Sequence, residues 1–452
     1  MMLDFSPDER ETVDRSLDAS PLDVSLHRRM HTLLHVAGDV AGQAAHELAL
    51  AAFGLLTNAP TSQLSLVLYN LATVYFLHGQ RDQAKRWYRH ALSVNPALAI
   101  AHQNLSVLLE SEGRYEEAIG HRDQAYRIQR VFEEGATCAV RRRVLILGSG
   151  RGTGNVPIDG LIAHAHTHRI KYAIDYASPA EDSDLPPYDL VFNGIGDADV
   201  AHLLAVRISQ LTRGCSKPVL NSPERVARTH RHRITELLSG INWVDVPACV
   251  RLEGLPDSRE ALQQQLGAAG IGFPLLMRPP ATHGGDGIVL HDTVDTLWVA
   301  LLADGGPCYL TEFRDFRSDD GFFRKYRMIY VDRVPYAYHL AISQNWIVHY
   351  YTAGMTEHPW KIDEERRFLS DPRAVLGARA MDALIDIGNR LDLDYGGIDF
   401  SLTPDGGVLV FEANATMLAH RVAPDGPLAH KNLVVERIAE AFEALLQANT
   451  ER

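Results

Sequence analysis

The chain has 452 residues, 46% hydrophobic and 22% charged, a composition ordinary for a soluble globular protein and a length too great for one core. Its net charge of −13 argues against nucleic acid or an anionic membrane surface as a bulk partner. No apolar run approaches a membrane span, the acidic N-terminus lacks a signal-peptide core, and the four cysteines show no CxxC spacing. The expected setting is therefore the reducing cytoplasm, without structural zinc.

A repeat occupies the first third. Leu71, Gly79, Ala84 and Ala91 recur 34 residues later as Leu105, Gly113, Ala118 and Ala125. Together with Leu68, Tyr75, Tyr88 and Pro96, these positions resemble the tetratricopeptide pattern of paired helices over 65–98 and 99–132. A degenerate unit near 25–62, with Gly38 at its turn, would complete the three repeats a solenoid normally needs. Residues 1–137 are read as an all-α domain. Its concave face would suit a protein or peptide partner, or a second copy of the chain in a homo-oligomer.

From Cys138 the texture changes. Val144-Leu145-Ile146-Leu147 reads as a buried strand and runs into Gly148-Ser149-Gly150-Arg151-Gly152-Thr153-Gly154. Strand signals at 172–174, 190–192 and 218–220, with a helix at 199–212, predict a small parallel α/β domain over 138–224. The glycine spacing is not GxGxxG, because Thr153 stands where the last glycine belongs. A loop toward substrate, a structural turn and a dinucleotide site using Asp175 all stay open. His164, His166 and His168 alternate, as do His230 and His232. Both stretches read as helical, where residues two apart diverge, so neither is expected to bind metal.

The remainder, 225–452, is α+β. An Arg/His-rich helix at 224–239 precedes a strand ending at Arg278. The glycine loop His283-Gly284-Gly285-Asp286-Gly287 and another strand follow. Strands run from 308 to 353, His339 and His349 falling on two of them as expected core or surface histidines. Met355 to Arg367 reads as a loop entering a helix. A long helix follows at 372–391, and a terminal helix at 429–447 closes the chain.

Between those two helices lie Tyr395-Gly396-Gly397-Ile398-Asp399-Phe400 and Val408-Leu409-Val410-Phe411-Glu412-Ala413-Asn414-Ala415-Thr416, joined by Thr403-Pro404-Asp405-Gly406-Gly407. This is a β-hairpin signal. Pairing brings Asp399 near Glu412, and the strand period puts Asn414 on the face of Glu412. Two carboxylates and an amide oxygen form a hard-oxygen set suited to Mg²⁺ held with substrate phosphates. Upstream, Arg278 aims its charge at a loop whose glycines free backbone N–H groups to close over an anion.

Strand, basic residue, glycine loop, Asp and Glu-x-Asn occur in the order found in ATP-grasp carboxylate–amine ligases, such as D-alanine–D-alanine ligase, glutathione synthetase and ribosomal-protein glutamate ligase. Residues 140–425 resemble that family. The resemblance implies a pre-ATP-grasp domain at 138–224, an ATP-grasp domain at 225–452, and ATP and Mg²⁺ as cofactors. It implies Asp399, Glu412 and Asn414 as metal ligands, and Arg327 with Arg278 at the transferred phosphate. Arg278, His283, Gly284, Gly285 and Gly287 would contact the nucleotide, with Glu312 and Phe313 at the adenine strand. Arg233, or its neighbour Arg231, would supply a second phosphate contact, and Asp315, Asp319 or Asp320 a ribose contact. Arginines stand where the family usually has lysine, so a planar fork replaces a point charge. The implied activity joins a carboxylate to an amine through an acylphosphate, on an amino-acid or peptide substrate. A phosphotransferase and a non-catalytic repeat scaffold are the alternatives.

Overall fold

The computed structural model describes residues 7–151, 154–282 and 284–451. The chain divides into two compact units between Arg130 and Val131.

The first unit is all helix. Val24–Val36 pairs with Val40–Leu55, Thr61–Leu77 with Arg81–Val94, and Ala99–Ser111 with Tyr115–Ile128. Each hairpin turns at a glycine, Gly38, Gly79 or Gly113, with φ of 71°, 76° and 74°. These left-handed positions end one helix and re-aim the chain into the next. Ala45, Ala49, Ala84, Ala91, Ala118 and Ala125 are buried where paired helices approach, and Leu68, Leu71, Tyr75 and Leu105 fill the seam. The degenerate first repeat is thus a third helical hairpin. The first and third also share an unusual contact. His27 and His46 meet Nδ1 to Nδ1 at 2.9 Å, and His102 and His121 do so at 2.8 Å.

The second unit holds three sheets. The first comprises β1 (Val131–Glu134), β2 (Arg142–Gly148), β3 (Thr167–Ala173), β4 (Leu190–Asn193) and β5 (Val219–Leu220), in the order β1-β3-β2-β4-β5. β2 to β5 pair in parallel and β1 joins antiparallel, so this sheet begins at Val131, ahead of the expected 138. β3 corrects the helical reading of 164–168. Its inward positions include Thr167 and Arg169, both 1% exposed, so polar residues hide the apolar alternation. Arg169 is accommodated by Glu134 at 2.6 Å and Asp159 at 3.1 Å.

Next come β6 (Val244–Asp245), β7 (Cys249–Leu252), β8 (Leu275–Arg278), β9 (Val289–His291) and β10 (Cys308–Glu312). The last four form an antiparallel sheet in the order β7-β10-β8-β9, with Leu252, Leu262, Leu275, Leu297 and Leu310 in its core. The expected strand–glycine loop–strand is the β8–β9 hairpin.

The third sheet has the order β12-β11-β13-β14-β6, with β11 (Phe323–Val331), β12 (Val334–Ser343), β13 (Tyr395–Leu402) and β14 (Val408–Asn414). The expected helix forms over Pro372–Leu391, interrupted by a kink at Gly377, and Met355–Arg367 is a short turn leading into the helix Pro359–Ser370. The terminal helix is Asn432–Thr450. Two expectations change. The helix over 224–239 is two short ones, Pro223–Ala227 and Arg231–Leu237, broken at the buried Thr229 and His230. Trp346–Tyr351 is a turn rather than a strand.

Asn221, fully buried after β5, fixes the start of β13. Its Oδ1 accepts from the N–H groups of Asp394 and Tyr395, each at 2.9 Å, and its Nδ2 donates to the Tyr395 carbonyl at 2.9 Å. The α/β sheet thereby sets the position of the acidic hairpin. No helix among the described residues is long and apolar enough to cross a membrane.

Candidate functional site

In the β13–β14 ladder Asp399 pairs directly with Glu412, and Gly397 with Asn414. A bulge lies just beyond, since Phe400 pairs with Val410. The two acids are therefore cross-strand neighbours, with Asn414 on the same face of its strand as Glu412. Gly397 makes the close approach feasible. A Cβ there would lie 2.7 Å from the Met328 carbonyl and 2.7 Å from Met417 Cγ.

On the other side of β13, Arg327 of β11 is directly opposite Asp399. Its Nε donates to Asp399 Oδ1 at 2.6 Å and its Nη2 to Oδ2 at 2.9 Å, while Lys325 Nζ lies 3.1 Å from Oδ2. Lys325 and Arg327 share a face because they are two apart on a strand. Burial alone would raise the pKa of Asp399, which is 1% exposed. The charges of Arg327 and Lys325 prevail and hold it well below the usual carboxylate range. Glu412 is likewise opposed by burial, yet Arg231 at 2.5 Å, aided by Arg278, holds it at about 2 despite the repulsion of Asp399. Both acids are thus ionised at neutral pH. Asn414 Oδ1 accepts from Thr416 N and Oγ1, each at 2.9 Å, which fixes the amide.

These groups line a cavity of about 560 Å³. Arg278, 8% exposed, ends β8 there, with its guanidinium bonded to the Thr282 carbonyl and hydroxyl and 3.9 Å from Glu412. Burial and the Arg231 charge lower its pKa to about 10, so it stays cationic at neutral pH. Gly284 and Gly285 line the cavity at φ of 67° and 87°. Gly287, at φ 68°, belongs to the same loop but is not a lining residue, and His283 lies outside the described residues. Glu312 and Phe313 line the cavity at the end of β10, with Arg314 paired to Glu312 at 3.1 Å.

Arg231 and Arg233 differ in their placement. Arg231 lines the cavity and Arg233 is exposed, because side chains two apart on a helix diverge. Asp315, Asp319 and Asp320 are not lining residues, and Asp320 pairs with Arg324 at 2.7 Å. Gly154 and Asn155 bring the α/β domain to the cavity. Asp175 accepts from Gly150 N at 2.8 Å, which makes it the support of that turn. Gly152 and Thr153 lie outside the described residues.

Sequence reasoning missed several lining residues. His339 and His349 both line the cavity, His339 while buried as a core histidine at 5% exposure. His420 and Lys431 had no local signal as site residues: His420 sits in the irregular chain after β14, and Lys431 ends the 3-10 turn Ala429–Lys431, which the sequence reads as part of the terminal helix. Lys325 was detectable from its spacing two residues before Arg327. Among the described residues six cations (Arg231, Arg278, Arg314, Lys325, Arg327, Lys431) and three acids (Glu312, Asp399, Glu412) line the cavity. Such an imbalance favours an anionic ligand. The donor chemistry of Asp399, Glu412 and Asn414 fits a hard divalent cation such as Mg²⁺.

Residues 65–98 match the tetratricopeptide repeat family model. No curated protein matches the chain. Among solved structures, it is similar to an ATP-grasp RimK domain protein from Sphaerobacter thermophilus DSM 20745, at 18% identity and TM-score 0.40, covering 66% of this chain and 98% of that one. It is also similar to VanG D-Ala:D-Ser ligase from Enterococcus faecalis, at 12% identity and TM-score 0.40, covering 67% and 99%. A third is the ATP-grasp ligase PsnB complexed with minimal precursor, Mg and ADP, at 15% identity and TM-score 0.38, covering 68% and 98%.

Proposed function

We propose that this cavity is the active site of an ATP- and Mg²⁺-dependent carboxylate–amine ligase of the ATP-grasp type. The observation that carries the reading is the ionised Asp399–Glu412 pair, with Asn414 beside it, facing a cavity capped by Arg278 and its glycine loop. Asp399, Glu412 and Asn414 would hold Mg²⁺, which when bound neutralises phosphate charge. Arg231, Arg278, Lys325 and Arg327 provide the cationic field for the γ-phosphoryl group, and backbone N–H groups of Gly284 and Gly285 cover phosphate oxygens. A substrate carboxylate oxygen attacks the γ-phosphorus, the bond to the β-phosphate oxygen breaks, and ADP leaves. An amine then attacks the acyl carbon, inorganic phosphate departs, and the amine nitrogen gives up its proton. No protein nucleophile is required.

The tetratricopeptide unit is proposed to bind the protein or peptide that carries or presents the substrate, which favours a peptide over a free amino acid. A cytoplasmic setting agrees with the four free thiols at Cys138, Cys215, Cys249 and Cys308. The test is a screen for ADP and phosphate release over amino acids and peptides, with mass analysis of products. Equimolar ADP and phosphate with a new amide bond supports the ligase. ADP without phosphate, and a phosphorylated product, would make it a phosphotransferase. Full activity in a Glu412→Ala variant, or no binding of Mg·ATP, would sink the assignment.

A further inference from the structure

One end of the cavity contains a cation that the nucleotide chemistry leaves unused. Lys431 lines the cavity yet is only 1% exposed, and no carboxylate oxygen among the described residues lies within ion-pair distance of it. Its ammonium instead rests on aromatic faces, 3.8 Å from the ring centre of Tyr350 and 4.7 Å from that of Tyr338. Ring quadrupoles compensate a desolvated ammonium only in part. The acid whose charge acts on Lys431, Glu365, is fully buried and its oxygens are taken by other donors. Its Oε1 accepts from Leu340 N at 3.2 Å, and its Oε2 from Tyr350 OH at 3.0 Å and His430 Nε2 at 2.9 Å.

Position adds to the mismatch. Lys431 immediately precedes the 19-residue helix Asn432–Thr450, where the helix dipole is positive and disfavours a cation. A second group at this end also lacks a partner. His339 Nε2 is buried without a hydrogen bond, and its ring stacks on Tyr350 at 4.7 Å. His420 is held between two phenols, with Nδ1 3.2 Å from Tyr338 OH and Nε2 2.6 Å from Tyr351 OH. Together these form a polar end with one cation that no carboxylate meets directly, walled by tyrosines that can take hydrocarbon.

We propose that Lys431 anchors a non-reacting carboxylate of the substrate, so that the ligase selects an amino acid or peptide carrying a carboxylate besides the groups that react. This rests on the ligase reading above and deepens it. A single cation with no direct ion pair suits a monoanionic carboxylate better than a phosphate dianion. The free amino acid and the peptide offer the same chemistry, and the experiment separates them.

The experiment is calorimetric binding to the full chain saturated with Mg·ADP. The probes are the free amino acids and their C-terminal amides, then trialanine and triglutamate with their amides. The expected result is at least one acid that binds about tenfold or more tighter than its amide, the size of a charge-assisted hydrogen bond. Lys431→Met should abolish that difference, Lys431→Arg should restore part of it, and Mg·ADP affinity should hold in both. Binding by free amino acids identifies one source, and binding by peptides alone the other. Failure of wild-type protein to bind Mg·ADP refutes the nucleotide reading. Mg·ADP binding with no acid bound, with acid and amide bound alike, or with the difference intact in Lys431→Met, overturns the Lys431 assignment.

Discussion

Replacing Asp399 by Asn separates metal ligation from ion pairing. The Asp399 side chain is 2% exposed and takes contacts at 2.6, 2.9 and 3.1 Å from two cations. Asn preserves the shape but leaves Arg327 and Lys325 side by side without a counter-charge. Removing one partner of a buried pair costs about 3–5 kcal/mol, and an amide oxygen that still accepts a hydrogen bond places Asp399→Asn near the lower limit, about 3 kcal/mol. Arg327→Met leaves Lys325 to neutralise Asp399, so its cost is about 2 kcal/mol. The double variant leaves only Lys325, its side chain 18% exposed, without a counter-charge in place of two juxtaposed cations, so it should lose only about 3 kcal/mol, a coupling of about 2 kcal/mol. Urea unfolding followed by tryptophan fluorescence, to which Trp346 in the cavity contributes, reads these losses. The ligand readout differs in kind. Asp399→Asn should remove the Mg²⁺ dependence of ADP binding, whereas Arg327→Met should retain it. Additive stability losses would refute the paired-charge account. Unaltered Mg²⁺ dependence in Asp399→Asn would take this residue out of the metal site.

Arg231→Met should weaken Mg·ADP binding about tenfold or more, while Arg233→Met stays near wild type, because a charge-assisted contact is worth that much and Arg233 is exposed; equal effects in titration calorimetry would reverse the choice. Gly285→Ala, at φ 87° with a new Cβ 3.2 Å from Ile347 Cγ2, should strain the loop by about 1–2 kcal/mol and raise the KM for ATP with little loss of global stability. An unchanged KM would show that the loop does not cover phosphate. In the first unit, burial and the nearby His27, His31, Arg86 and Arg10 charges all lower the pKa of His46 well below its usual value. A base whose folded pKa is depressed contributes stability above its unfolded pKa of about 6.5 and loses it as pH falls below that. The urea midpoint of this unit should therefore drop from pH 7.5 to pH 5, with a smaller drop in His46→Gln, and a flat profile in the wild type would count against the neutral pair.

The fold was legible wherever periodicity matched burial. β2 and β4 read as apolar runs because both faces are covered, and Leu145, Leu147, Val191 and Phe192 are fully buried. The helical hairpins read from alanines and turn glycines that recur at fixed intervals. β3 read only at its end, where the strand signal at 172–174 falls; its first half did not, since the inward Thr167 and Arg169 break the apolar pattern, and Arg169 is stabilised by Glu134 from β1 and by Asp159. Trp346–Tyr351 failed for the opposite reason. Its alternating aromatic residues mimic a strand, but there they face a cavity instead of a sheet core.

The site divides along the same line. Its acids could be read because a hairpin is local: about ten residues of turn and strand fix Asp399 opposite Glu412, whatever the rest of the chain does. Its cations come from five separate places. Arg231 begins a short helix, Arg278 ends β8, Arg314 follows β10, Lys325 and Arg327 share β11, and Lys431 precedes the last helix. Strand period alone relates Lys325 to Arg327; only tertiary packing brings the others together. That difference explains why Arg231 and Arg233 could not be separated beforehand and why Lys431 left no trace. It also has a physical corollary. Asp399 and Glu412 are each held ionised by partners from other elements, so the proposed metal set depends on the closure of the whole unit even though its residues sit on one hairpin. An isolated hairpin peptide carrying Asp399, Glu412 and Asn414 should bind Mg²⁺ no better than an unstructured acidic peptide, because a lone two-stranded hairpin is at best marginally stable and does not hold the three groups in register.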